Sequence, residues 1–357
     1  MLRTKIIISL FFLTLAFLVV SWHLKVLFIY LLFLTLKKYI PNYTNYRKWI
    51  NYGSLALFLL IFGITFPDRI SHRDDYIQSV YFDKETKEEL PEPMVPYLTN
   101  IIGEGDIMQF VTLTTKIIPS RILDHSRGHA IRDIFSYMRL TTMTENNFVR
   151  PYRELAYKGT PSHAVPFQIA KQYGWYPNTG HYFLHMPEGK NPKVCEIVVF
   201  CHGYSGNWQL YPALFAKYSD AIIISVETPD FNGIFTRYIL QDIIQNTLPH
   251  IYEYIDIPYK KPHLIGLSNG GSAVNNAIRF FPDAFKSYTI ISASLNYEPK
   301  TKSKVLIVYG ENDRSGGVNR NIPKSRYTLH VVKGANHTLF VAKPDTVFGL
   351  INNIIHH

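Results

Sequence analysis

Apolar and polar positions divide this chain into three stretches. The first holds three long apolar runs, Ile6–Trp22, Leu24–Ile40 and Ile50–Phe66. The first and third are 17 residues long without a charge. At 1.5 Å per residue, each covers about 26 Å, close to the hydrocarbon thickness of a bilayer once flanking residues are added. The middle run carries Lys25 at one end and Lys37 and Lys38 near the other, where lysines reach the interface. None of the runs has the polar face of a soluble core helix. The pattern predicts a membrane anchor over 1–67 with transmembrane segments at 6–22, 24–40 and 50–66. A two-span arrangement, in contrast, would put His23 and Lys25 near the middle of a helix of about 46 Å.

The second stretch, 68–180, reads as a linker followed by a mainly helical extension. From Asp68 to about Asn100 it is charged and proline-bearing (KETKEELPEPMVP), which predicts an exposed linker or lightly packed arm. His129–Met143 places Ile131, Ile134, Phe135 and Met138 at helical spacing, so an amphipathic helix is expected, either covering a sheet or capping a site. In the third stretch, 181–357, short β-branched runs recur: Tyr182–Met186, Glu196–Cys201, Ala221–Val226, His263–Leu267, Ser287–Ser292, Val305–Tyr309 and Tyr327–Val332. Most are nearly continuous in apolar character, as strands buried on both faces are. Helical patterns at Tyr238–Tyr254, Ser272–Phe281 and His337 to the end lie between or after them. This alternation predicts an α/β fold with a mostly parallel sheet and crossover helices on both faces.

Charge sharpens the division. The chain has 357 residues and a formal net charge of +10. Arg3, Lys5, Lys25, Lys37, Lys38, Arg47 and Lys48 fall before residue 68, where no acid occurs, and the remainder holds 30 basic against 27 acidic residues. The basic excess belongs to the anchor, so a nucleic-acid partner loses its main support. Lys and Arg flanking the apolar runs predict a multi-pass integral membrane protein in which the chain after residue 67 emerges outside the cytoplasm. An Ala-x-Ala-like cleavage site is absent, which favours an uncleaved anchor over a signal peptide. Cys195 and Cys201 lie six residues apart on one strand, about 20 Å, too far to pair. No cluster has metal-ligand spacing and no glycine loop cradles phosphate, so no cofactor and no metal are expected.

The candidate chemistry lies at the strand ends. Gly266-Leu267-Ser268-Asn269-Gly270 is weak as a motif alone, but it joins a strand to a helix, an arrangement that holds a serine on a strained turn and points it out of a sheet. Serine needs a base, and the base needs an orienting group. Asp313 follows the strand VLIVY, with Glu311 as the alternative carboxylate, and His337 follows the strand that ends in VVKG. Upstream, VVFCHGYSGN ends a strand in His202-Gly203. Tyr204 and Asn269 are the candidate amide donors to an oxyanion, while the His202 side chain is expected to brace the loop. Trp208 and Phe231 are candidate substrate-binding residues.

On these residues (His202-Gly203, Gly266–Gly271, Gly310-Glu311-Asn312-Asp313 and Gly334-Ala335-Asn336-His337), the region from about 180 to 357 resembles the α/β-hydrolase superfamily. The resemblance implies Ser268 as nucleophile, His337 as general base and then acid, and Asp313 as the group that fixes the imidazole tautomer. An acyl-enzyme would form and be released to water. Only 45 positions separate Ser268 from Asp313, so a lid inserted there is missing. The expected activity is cleavage of a carboxylic ester, with a lipid, an envelope ester or a small molecule as substrate. Two alternatives stay open. The Ser-Asn-Gly-Gly stretch resembles the elbow of prolyl-oligopeptidase-like serine peptidases, and a hydrolase-like binding protein without activity is the third reading. The sequence leaves the oligomeric state open.

Overall fold

The computed structural model describes residues 2–18, 22–65, 77–91, 171, 174–204, 206–229 and 232–356. The predicted helix at His129–Met143 lies outside them. The chain divides into two units, one holding residues 1–71 and 96–162, the other 72–95 and 163–357.

In the first unit the apolar runs form helices Leu2–Leu18, Trp22–Leu36 and Tyr43–Thr65. The second and third are joined by Tyr30 stacked on Phe58 with ring centroids 4.3 Å apart, and by Lys37 Nζ donating to Asn51 Oδ1 at 2.7 Å. Among the described residues no helix is long and apolar enough to cross a membrane. The first two have 17 and 15 residues, short of the roughly 20 a span needs. The third has 23, but opens on the polar stretch YTNYRKWINY. Over the described residues the expected transmembrane segments at 6–22, 24–40 and 50–66 are helical, and none of these helices is both long and apolar enough to cross a membrane.

The second unit is built on a nine-stranded sheet in the order β11-β9-β7-β6-β4-β5-β3-β1-β2. Its strands are β1 (Gln78–Asp83), β2 (Glu89–Leu90), β3 (Thr179–His185), β4 (Ile197–Cys201), β5 (Ile222–Val226), β6 (His263–Leu267), β7 (Ser287–Ile291), β9 (Lys304–Gly310) and β11 (Thr328–Val332). Two short strands, β8 (Ser294–Leu295) and β10 (Gly317–Val318), pair separately in parallel. From β5 through β4, β6, β7 and β9 to β11 every pairing is parallel, while β3 and β1 run antiparallel. This is the mostly parallel sheet with helices on both faces that the strand pattern predicts. Each predicted strand appears within two or three residues of its expected bounds.

The core lies on both faces of the sheet because strand side chains alternate. On one face Val199, Cys201, Ile222, Ile224, Leu264 and Tyr288 pack with the helices of residues 237–254 and with Gly271–Phe280. On the other, Phe200 meets Phe215 and Phe340, and Phe348 meets Phe215 edge-on at 4.9 Å, which docks the helices Leu210–Tyr218 and Pro344–His356. The predicted helix Tyr238–Tyr254 is one rod of three parts: Arg237–Asp242, a π turn Ile243–Thr247, and Leu248–Tyr254.

One expectation needs correction. The stretch read as an exposed linker or lightly packed arm supplies β1 and β2, with Val80, Tyr81 and Phe82 buried in the sheet. The turn between them is held by Asp83 Oδ1, which accepts from the Glu85 and Thr86 amides at 2.8 and 2.9 Å. At the opposite edge β11 is largely exposed, Leu329 and Val331 included, since it has a partner on one side only.

Candidate active site

Strand β6 is buried along its length and delivers Ser268 into a single tight turn, Ser268–Gly270, before the helix Gly271–Phe280. Ser268 has φ +52°, the left-handed region that a serine occupies only when its surroundings hold it there. The surroundings are backbone. A Cβ added to Gly266 would lie 2.3 Å from the Gly270 oxygen, and one added to Gly270 would lie 2.1 Å from the Cys201 oxygen. The turn thus folds onto its own strand and onto the end of β4, a packing only glycine permits.

Three loops at the carboxyl ends of their strands bring the candidate residues together. The Ser268 hydroxyl is 2.8 Å from His337 Nε2. The other ring nitrogen, Nδ1, lies 3.1 Å from each carboxylate oxygen of Asp313. A carboxylate only accepts, so Nδ1 carries the proton and Nε2 faces Ser268 as an acceptor. The loops after β9 and β11 are laced by Asn312 N–H donating to the Ala335 oxygen at 2.9 Å. Glu311, the alternative carboxylate, accepts from the Gly334 amide at 2.9 Å and so ties the loops instead of facing the imidazole. Burial pushes the Asp313 carboxyl up. The His337 ring beside it and the Ser315 hydroxyl and amide outweigh that and hold it below the usual carboxylate range.

Around the hydroxyl the β4 loop closes in. A Cβ on Gly203 would lie 3.1 Å from Ser268 Cβ and 3.7 Å from its Oγ, so the residue preceding Tyr204 passes alongside the serine. Asn269 lies in the turn that leads into the helix, where amides have no partner within the helix, and its side chain donates to the Asn232 oxygen at 2.7 Å. His202 is fully buried, with Nδ1 donating to the Gly203 oxygen at 2.6 Å and Nε2 accepting from the Thr228 amide at 3.3 Å. The Thr228 bond requires the neutral ring, since Nε2 must be free to accept. Burial lowers its pKa to about 4, with the Gly203 bond and the Glu227 charge opposing. His202 braces two loops, as expected. Trp208 is mostly buried and Tyr204 is 40% exposed, while Phe231 lies outside the described residues.

Sequence reasoning missed three neighbours. Ser315 donates to Asp313 Oδ1 through its hydroxyl at 2.6 Å and its amide at 2.9 Å. Ser292, with φ +54°, donates to the His337 carbonyl at 2.8 Å. Gly233, with φ +68°, brings the loop after β5 against Gly203. The spacing Asp-x-Ser was the one available signal, since an aspartate often accepts from the amide two residues on.

A separate pocket of about 250 Å³ opens between Gly180, Val226, Pro229 and the helix of Tyr238. Its charges pair with one another: Lys171 Nζ with Glu227 at 3.0 Å and Lys84 Nζ with Asp242 at 2.5 Å. Ser268, Asp313 and His337 do not line it.

No family model and no curated protein matches the chain. Solved structures are similar at low identity. The acylaminoacyl peptidase of Pyrococcus horikoshii is 13% identical over 50% of this chain and 39% of its own, with a TM-score of 0.37. A thermostable esterase is 15% identical over 44% of this chain and 52% of its own, with a TM-score of 0.33. An esterase from Thermogutta terrifontis is 13% identical over 50% of this chain and 94% of its own, with a TM-score of 0.39. The chain thus spans about two fifths and one half of the first two proteins. These likenesses extend to neither substrate nor mechanism, and the reading of the site rests on its own geometry.

Proposed function

We propose that this protein is a membrane-associated serine hydrolase that cleaves a carboxylic ester through an acyl-enzyme. One observation carries the reading: a serine held at φ +52° with its hydroxyl 2.8 Å from an imidazole whose far nitrogen faces a buried carboxylate. His337 Nε2 takes the Ser268 proton as Oγ attacks the ester carbonyl. Asp313 keeps the imidazole in the required tautomer and offsets its positive charge. The amides of Tyr204 and Asn269 receive the negative charge on the carbonyl oxygen. As the tetrahedral intermediate collapses, His337 gives its proton to the departing alkoxide and leaves the acyl group on Ser268. Water, deprotonated by the same nitrogen, then releases the acid. The short connection between Ser268 and Asp313 and the apolar first unit support an ester presented at a lipid surface. There Ile7, Leu10, Phe11, Leu60 and Ile64 are exposed, an arrangement suited to contact with acyl chains.

The test is labelling of membrane preparations and of the matching soluble fraction with a serine-directed phosphonate, wild type against Ser268→Ala. Labelling of the wild type alone, in the membrane fraction, is expected. Equal labelling of both proteins refutes the nucleophile, and a label confined to the soluble fraction refutes the membrane association. A panel of short and long acyl esters beside aminoacyl amides then reads the leaving group, where amide cleavage without ester cleavage would favour a peptidase.

A further inference from the structure

Resting on that reading, the geometry points to Ser315 as a positioning residue that shares with Asp313 the task of holding the His337 ring. The Ser315 hydroxyl has three polar neighbours: Asp313 Oδ1 at 2.6 Å, His337 Nδ1 at 2.9 Å and the Ser292 carbonyl oxygen at 3.0 Å. The hydroxyl has one proton to give, and two of the three neighbours can only accept. The proton goes to Asp313, the nearest and charged acceptor, and the oxygen lone pairs then face Nδ1–H. Nδ1–H is therefore shared among three oxygens, two of the carboxylate and one of the hydroxyl. All three favour the tautomer that leaves Nε2 free to receive the Ser268 proton. As the ring becomes positive during attack, the hydroxyl dipole lies with its hydrogen toward the carboxylate and its oxygen toward the imidazolium, so it stabilises both.

Ser315 is exposed, and its placement depends on how its loop is anchored. Gly316 presses on the Tyr309 ring, where an added Cβ would lie 2.2 Å from Cγ. Gly317 and Val318 pair with β8. Ser294 Oγ donates to the Ser315 carbonyl at 2.8 Å. The loop is thus fixed on both sides of the hydroxyl, and its direction toward His337 follows from backbone that no substitution at 315 removes.

The experiment uses the full chain, p-nitrophenyl acetate as ester, and phosphonate titration to count reactive sites, with Ser315→Ala, Ser315→Cys and Ser315→Thr beside the wild type and Ser268→Ala. Losing one hydrogen bond to a charged pair predicts a fall in kcat per titrated site of about five- to tenfold in the Ala and Cys variants, with KM within about twofold. The cysteine keeps the shape and weakens the hydrogen bonds, so it follows alanine, while threonine keeps the hydroxyl and returns the rate to within about twofold of wild type. A merely structural serine would reduce the number of titratable sites and leave the rate per site alone. Wild-type kcat per site in Ser315→Ala or Ser315→Cys, or a Thr variant as slow as Ala, overturns the assignment while the hydrolase reading stands. If Ser268→Ala is titrated and turns over ester like the wild type, the hydrolase reading fails and takes this role with it.

Discussion

Gly270→Ala tests the claim that backbone packing holds the reactive serine in place. The added Cβ would sit 2.1 Å from the Cys201 oxygen and 2.6 Å from the His202 oxygen, both main-chain atoms at the end of β4. Ordinary contact needs about 3.4 Å, so the turn and the strand end must separate by roughly 1 Å. Overpacking of this kind costs about 1–3 kcal/mol. For a domain of this size that lowers Tm by about 2–12 °C. The effect on reactivity is larger, because the same movement acts on the 2.8 Å contact between Ser268 and His337. A displacement of about 1 Å costs on the order of a hundredfold in rate. The assay is the second-order rate of phosphonate labelling together with a thermal melt, and Gly349→Ala is the control. Gly349 is exposed in the helix Pro344–His356 with nothing within 4 Å of an added Cβ, so alanine there stabilises by about 0.5–1 kcal/mol and leaves labelling unchanged. A Gly270→Ala protein with wild-type labelling and an unchanged melt would refute the packing argument.

Two further substitutions probe what surrounds the site. His202 has its pKa lowered to about 4 by burial, against 6.5 unfolded. Between those values the unfolded chain binds a proton that the folded chain does not, so the stability is fully present above about pH 6.5 and is lost as pH falls toward 4. The full window is worth about 3 kcal/mol. Chemical denaturation at pH 7 and pH 5 should show a loss of about 2 kcal/mol of that window in the wild type and a smaller one in His202→Asn, and equal losses in the two proteins would contradict it. Glu227 is buried between Lys171 Nζ at 3.0 Å and His181 Nδ1 at 3.2 Å. Glu227→Gln leaves buried Lys171 without its carboxylate and should cost about 3–5 kcal/mol by denaturant titration. A loss below 1 kcal/mol would show that the pair carries no such weight.

How much of this was legible in the sequence follows from where each signal resides. Strands β4 to β7 and β9 could be read because burial on both faces leaves continuous apolar runs, and Ser268 and Asp313 could be read because each follows such a run, while His337 follows the more exposed β11. Strand β1 could not be read, because its buried part is only Val80 to Phe82 within a charged context, and its partner β3 lies about a hundred residues on. Helix Leu210–Tyr218 was hidden by Pro212 in its first turn. The N-terminal runs announced apolar helices, and helices form there, although among the described residues none is both long and apolar enough to cross a membrane. The support of the site was least visible, because it is made by backbone approaching backbone. Gly203 lies beside Ser268, Gly233 lies against Gly203, and Gly270 lies against Cys201. Each of these glycines is ordinary in its own stretch of sequence. Their necessity arises only when the ends of β4, β5 and β6 meet, and there the absence of three side chains lets the serine, its loop and its neighbours occupy the same few ångströms.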